Sequence, residues 1–367
     1  MLNKILLVSL FILLSLIGFS QEKIEDGLTA KERAFSDSIA AVNQASQENA
    51  AAMIAYNDGI KAFQVKNYSV AIEHFDKAIA GSPDFVDAHF NKGMAEMEGG
   101  NEKNAIITFD RVLELESKNS KSYLKKGECY ITLGDYNMAI LNFERAAKLD
   151  PDNEKIPYVI GDVYFLSEQY EMAIEHFTNA INLKPNYAYA YNDRGSSYRM
   201  LEKYSLAVND YNKAASLEPK LAFVYNNIGS IKKKQKDYTG AILAYEKAII
   251  ADEKFYLAYN NRGSIYFEQG KYAEAEKDFK AAIAMNPKYA SPYNSISAIR
   301  FKQEKYKEAE AEAEKAININ ANYGSAYVNR GIAREMLRNQ EGACSDWQKA
   351  KDLGHELGNT YLIGNCH

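Results

Sequence analysis

Proline is scarce in this sequence, 7 among 367 residues, and so are tryptophan (1), cysteine (3) and histidine (5). Few prolines leave helices uninterrupted, because proline lacks the backbone N–H and clashes with the preceding turn. Enzymatic signatures are missing as well. There is no phosphate-binding loop, no dinucleotide-binding glycine pattern on a strand and no nucleophile elbow, so an enzyme is not expected and the glycines have another use. Excess positive charge is also missing: 44 Lys and Arg stand against 49 Asp and Glu, a net charge of −5. Phosphate backbones repel a chain of that sign, and Lys232-Lys233-Lys234 is too short a basic run to reverse it, so nucleic acid is not an expected partner. His355 and His367 lie near Cys344 and Cys366, but the spacing matches no zinc pattern, and no metal or other cofactor is expected.

Long apolar runs are missing except at the start. Ile5 to Phe19 is almost unbroken Leu, Ile, Val and Phe behind Lys4, and Gly18-Phe19-Ser20 sets small residues at the −3 and −1 positions before Gln21. Residues 1–20 therefore read as a secretory signal peptide. The competing reading is an uncleaved anchor, but the run falls short of the roughly 20 apolar residues that span a bilayer. Cleavage removes one lysine, takes the net charge from −5 to −6, and leaves no membrane span. The expected location is the periplasm or the cell exterior. Residues 21–51 are polar and alanine-rich and read as a partly helical, solvated arm; the alternative is an arm that docks on a partner or on the rest of the chain.

What is abundant is periodic. The composition, 47% hydrophobic and 25% charged with 27 Tyr and 16 Phe, fits helices, and Tyr256 to Tyr289 shows how they are arranged. Tyr259, Gly263 and Tyr266 share one helical stripe, and Ala275, Phe279 and Ala282 share a second. Gln269-Gly270-Lys271 separates two amphipathic helices, and Asn286-Pro287 ends the second. Small residues at Gly263 and Ala275 let the helices cross closely, with aromatic rings filling the space beside the crossing.

Steps of 34 residues from that glycine reach Gly59, Gly93, Gly127, Gly161, Gly195, Gly229, Gly263, Ser297 and Gly331. The alanine twelve residues later recurs at all nine places, from Ala71 to Ala343. Four residues beyond it stands Phe75, Phe109, Phe143, Phe177, Tyr211, Tyr245, Phe279, Ala313 or Trp347, so only the eighth unit lacks an aromatic. Nine units cover 52–357, and 358–367 supplies a capping segment through Thr360-Tyr361-Leu362-Ile363. No single unit can bury its own apolar faces, so neighbours must stack into a continuous core.

This signature resembles the tetratricopeptide (TPR) repeat family. The resemblance implies an all-α, right-handed superhelical solenoid of nine tandem 34-residue helix-turn-helix repeats, with the first helix of each repeat lining the concave side. It also implies a non-enzymatic scaffold for protein–protein interaction, with a protein or peptide ligand as partner. The stripe turned by about 100° from the core stripe then faces the groove. It carries Asn192 and Ser196, Asn226 and Ser230, Asn260 and Ser264, then Asn294 and Ala298. An asparagine carboxamide donates and accepts together, which suits the main chain of an extended peptide; the bland alternative is a solvated face. Asn57, Asn91, Asn227, Asn261 and Asn329 resemble the groove asparagine of some peptide-binding members of the family.

In the first half the corresponding positions are Tyr56 and Ile60, Phe90 and Met94, Leu124 and Glu128, Tyr158 and Asp162, an apolar groove that turns acidic. The Lys and Asn pair of chaperone-binding members is missing from every repeat. The ending GACSDWQKAKDLG, with a cysteine beyond it, resembles exported bacterial members of the family and implies a Cys344–Cys366 disulfide that pins the cap. The expected function is an envelope scaffold that holds a peptide or protein segment in its groove. The alternative is a structural component of an envelope assembly that uses its convex surface and ends.

Overall fold

The computed structural model describes residues 30–366. The signal-peptide reading of 1–20, the first part of the arm and His367 lie outside these residues. Among the described residues all regular structure is helical. The helices fall into two units, Met1–Pro151 and Asp152–His367.

In the first unit α1 (Ala30–Gln64) packs on α2 (Tyr68–Gly81), α3 (Val86–Glu98) on α4 (Glu102–Leu115) and α5 (Ser120–Thr132) on α6 (Tyr136–Leu149). Helix α1 is 35 residues long because the arm continues without a break into the first repeat helix, and its side chains before Ala52 are largely exposed. In the second unit the pairs are α7 (Lys155–Leu166) with α8 (Tyr170–Leu183), α9 (Ala188–Met200) with α10 (Tyr204–Leu217), and α11 (Ala222–Lys234) with α12 (Tyr238–Ala251). They continue as α13 (Tyr256–Glu268) with α14 (Tyr272–Met285), α15 (Ala290–Lys302) with α16 (Tyr306–Ile319), and α17 (Gly324–Met336) with α18 (Gln340–Asp352), followed by α19 (Glu356–Asn365). Within each unit consecutive first helices also touch one another, whereas consecutive second helices make no comparable contact. First helices therefore line the inner side of each stack.

The turn inside each pair needs a left-handed residue. Positive φ recurs every 34 residues, at Lys66, Gly100, Gly134, Glu168, Glu202, Lys236, Gly270, Glu304 and Arg338. The N–H of the following residue reaches five residues back, as in Asn101 N to Glu96 O at 2.8 Å and Lys271 N to Tyr266 O at 2.9 Å. That is the Schellman arrangement, which satisfies carbonyls at the helix end. Pro157 and Pro292 sit in the first turns of α7 and α15, where a missing N–H costs nothing.

The repeated Gly and aromatic residues meet as the pattern requires. Phe75, Phe109, Phe143, Phe177, Tyr211, Tyr245, Phe279 and Trp347 are all fully or almost fully buried. At Gly263 an added Cβ would lie 3.0 Å from the Phe279 ring and 3.1 Å from the Asp278 Cβ, so glycine sets the distance between α13 and α14. The eighth repeat solves the same problem in another way. Ser297 replaces the glycine, Ala313 replaces the aromatic ring, and Ser297 Oγ donates to Ala309 O at 2.7 Å.

Charge also enters the interior of the stack. Asp210, Asp278 and Asp346 are buried between paired helices, each gripped through two nitrogens, by Arg194, Arg262 and Arg330 respectively. Burial of a carboxylate is tolerated here because a planar guanidinium meets both oxygens. Between consecutive pairs, Arg300 holds Glu276 and Arg334 holds Glu310.

Candidate binding groove

The inner stripe of the second unit is built by α7, α9, α11, α13, α15 and α17. Its asparagines do not stand apart from one another. Asn227 donates to Asn192 Oδ1 at 3.1 Å, Asn261 to Asn226 Oδ1 at 2.9 Å and Asn329 to Asn294 Oδ1 at 2.8 Å, each across 35 residues. Tyr158 donates to Asp193 at 2.6 Å in the same register, and in the first unit Asn91 donates to the Tyr56 hydroxyl at 2.9 Å. The first-helix asparagines therefore join adjacent repeats, and Asn192 and Asn260 are buried in doing so. A carboxamide oxygen has two lone pairs and the nitrogen two hydrogens, so one such bond leaves capacity for a ligand. Asn260 keeps looser company, with Ser291 and Asn261 at 3.5 Å. Asn57 is exposed on α1.

The small residues of the stripe are also engaged. Ser196 and Ser230 donate to the carbonyls of Asn192 and Asn226, and they meet the hydroxyls of Tyr211 and Tyr245 at 3.1 and 3.5 Å. Tyrosine replaces phenylalanine in just these two second helices, so its hydroxyl extends from the core to the stripe. Where Phe279 stands instead, Ser264 accepts from Lys233 at 2.7 Å. In the first unit Tyr56, Ile60, Phe90 and Met94 pack against the core around Phe75 and Phe109, which makes that stripe a half-buried apolar surface. Glu128 pairs with Lys125 at 2.7 Å, so its charge is balanced.

Asp162 is the exception. Burial, and next the charge of Asp193, push its carboxyl up to about 7, and burial raises Asp193 against the opposing pull of Tyr158 and Asn192. Burial, and next the charges of Glu154, Asp162 and Asp193, pushes Tyr187 up to about 12, and burial with Asp193 and Asp162 raises Tyr158 as well. In the unfolded chain Asp162 releases its proton near the ordinary 3.8, whereas in the folded chain it holds it to about 7. Stability from this group is accordingly present at pH 4, declines as pH rises towards 7, and stays low above it. The full shift corresponds to ~4 kcal/mol, reduced to about 2 kcal/mol for a side chain that is only partly enclosed. Asp162→Asn is expected to match the wild type at pH 4 and to exceed it by about 2 kcal/mol at pH 8. Urea denaturation at both pH values checks this, and an unchanged difference between them overturns it.

At the end of the chain α19 closes the stack. The ring of Tyr361 lies parallel to that of Trp347 at 5.2 Å, and Gln340 donates to Asn365 O at 2.6 Å. Cys344 and Cys366 are brought together with Cα atoms 5.8 Å apart, inside the range a disulfide spans. Cys129 is fully buried, and burial pushes its thiol up to about 11. His355 shares a hydrogen bond with Ser325 at 3.0 Å. No helix among the described residues is long and apolar enough to cross a membrane.

Family models described as tetratricopeptide repeat match residues 56–122, 188–221, 224–255, 256–289 and 290–323, and one described as TPR repeat matches 161–201. A model of anaphase-promoting complex, cyclosome, subunit 3 matches 98–180. The TPR matches span more than half of the chain, and the chain belongs to the tetratricopeptide repeat family. Proteins of this family mediate protein–protein interactions.

Among solved structures, a tetratricopeptide repeat protein from Parabacteroides merdae is 21% identical with a TM-score of 0.53, over 68% of this chain and 99% of that one. The APC/C hetero-tetramer Cut9-Hcn1 gives 13% identity and a TM-score of 0.54, over 86% of this chain and 76% of that one. Pseudomonas aeruginosa pilF gives 19% and 0.51, over 57% and 96%. They share the fold. No curated protein matches the chain.

Proposed function

We propose that this chain is an exported, non-enzymatic scaffold of the cell envelope that holds a peptide or protein segment along the inner stripe of its first helices. The observation that carries the reading is the polar ladder from Asn192 to Asn329. Its bonds join the fifth repeat to the sixth, the sixth to the seventh and the eighth to the ninth on the inner side, and its carboxamides retain bonding capacity beyond the bonds they make to each other. Export is supported by the signal-peptide pattern of residues 1–20 and by the approach of Cys344 to Cys366, which form a disulfide in an oxidising compartment and pin α19.

A second reading, a structural component of an envelope assembly, is favoured by apolar side chains on second helices. Leu243 and Ile250 on α12 are 55% and 81% exposed, and Ile107 on α4 is exposed too. One experiment separates the two. Photo-crosslinking side chains at Ser264 and Ala298 are expected to trap a protein in envelope extracts, and the same probes at Leu243 and Ile250 are expected to trap none. Crosslinks from Leu243 and Ile250 alone would transfer the function to the outer surface. A non-reduced peptide map of the same preparation is expected to show Cys344 joined to Cys366; two free thiols would end the export argument from the cap.

A further inference from the structure

Helix α1 runs well beyond the repeat it opens. Ala52 is the first buried residue among its described side chains, so the stretch from Ala30 to Ala51, about 33 Å of helix, precedes the stack. Of the side chains described in that stretch, Ile39 is half-buried and the rest are exposed. Helices in proteins are held mainly by the packing of one face, and this one has little of its own chain to pack on.

Its free face has a pattern. Ile39, Val42, Ser46, Asn49 and Met53 alternate spacings of three and four residues, which is the seam of a helix pair. From Arg33 to Ala51 the charged residues are Arg33, Asp37 and Glu48, and at 100° per residue all three fall on the side away from this seam. The seam carries neither sign, so an identical seam meets it without repulsion.

The start of the stack is open as well. At the other end α19 covers the last repeat, whereas here Met53 and Ile54 are 50% and 65% exposed. A cleft of about 370 Å³ opens beside them, lined by Asn49, Ala52 and Met53 of α1 and by Phe85 and Val86 where α3 begins. The first unit of a repeat array needs a cover no less than the last.

We propose that a second copy of this chain covers both: the two α1 arms pair antiparallel along the seam, and each lays its outer part on the first repeat of the other copy. With Ile39 opposite Asn49 of the second copy, Val42 stands opposite Ser46, so larger apolar residues meet small or polar ones and Ile39 reaches the mouth of the cleft. Asn49 in the seam costs some stability and fixes the register. A two-fold axis repeats every contact, so one seam on one helix is sufficient. Residues 30 to 58 overlap in this register, a strip about 43 Å long and about 12 Å wide on each helix. That is roughly 1,000 Å² for the pair, the size at which specific association begins.

Sedimentation equilibrium of the full chain, as exported, is expected to give twice the mass of one chain at micromolar concentration. Ile39→Asp combined with Val42→Asp is expected to weaken the dimer at least about a hundredfold, since two charges would then be buried in each seam. Both residues precede the stack, so urea unfolding of the repeats in this variant is expected to match the wild type, which separates lost pairing from lost folding. Asp37→Asn, on the opposite side of the helix, is expected to remain dimeric. Mild oxidation of a mixture of Ile39→Cys and Asn49→Cys chains is expected to join one to the other, and Ile39→Cys alone to form no disulfide between copies. A wild-type monomer overturns the second copy as occupant, whatever other protein the arm is then found to hold. A dimer indifferent to the two aspartates overturns the seam, and a disulfide between two Ile39→Cys chains overturns the antiparallel register.

Discussion

Asp278→Ala is expected to destabilise the second unit by roughly 3–5 kcal/mol, because it strands a half-buried guanidinium whose two carboxylate bonds it removes. Asp278 is 3% exposed, and Arg262 donates to its two oxygens, each at 2.8 Å. One repeat earlier, the same two positions hold Ile228 and Ala244, both buried in one apolar cluster. The double variant Arg262→Ile with Asp278→Ala therefore copies an arrangement that this chain already accommodates, and it is expected to recover most of the loss. Replacement of a buried ion pair by packed apolar residues is often neutral or better. Urea denaturation with hydrogen exchange in α13 and α14 reads both variants. A single variant as stable as the wild type, or a double variant no better than the single, rejects this account. Repeat arrays unfold locally as well as globally, so the exchange data show which helices respond.

Gly127→Ala is expected to cost about 3 kcal/mol, the upper range for overpacking. A Cβ at Gly127 would stand 2.6 Å from both Cδ1 and Cζ of Phe143 and closer still to Cε1, and that ring is fully buried. Neither α5 nor α6 can yield without disturbing its other neighbour. The eighth repeat shows the compensation, a serine for the glycine and an alanine for the ring. Phe143→Ala alone is expected to cost roughly 3–5 kcal/mol through the cavity it leaves. Gly127→Ser combined with Phe143→Ala is expected to cost less than the sum of the single variants by about 2 kcal/mol, since the hydroxyl fills part of the cavity and can bond Ala139 O. Thermal unfolding of the four species measures the coupling, and strict additivity would show that the two residues do not share one space.

These two cases also show how far the residues alone could be read. Gly127 and Phe143 recur with a fixed spacing, and a close helix crossing explains both, so their contact was legible before any coordinates. Ser297 and Ala313 each stood out as a departure from the pattern, but that one compensates the other depends on their sharing a volume. Arg262 and Asp278 were not recognised as partners. Their signal is present, since arginine and aspartate recur 16 residues apart at 194 and 210, 262 and 278, and 330 and 346, in every second repeat. A 16-residue offset corresponds to neither helical nor strand periodicity, and only the antiparallel return of the second helix gives it meaning. The asparagines were legible as a stripe but not as a ladder, because a 35-residue offset joins different repeats.

Sequence by itself determined the helices, their pairing, the 34-residue register and the end of the stack, since each follows from local periodicity and from steric demands that repeat along the chain. Tertiary structure decided which polar groups are satisfied by one another and which are left for something else. Asn192 and Asn227 meet because stacking sets their helices side by side, and burial, followed by the charge of Asp193, raises the Asp162 carboxyl above the ordinary carboxylate range. Hydrogen bonds and desolvation act over a few ångströms of space, and that distance is not written in the order of the residues.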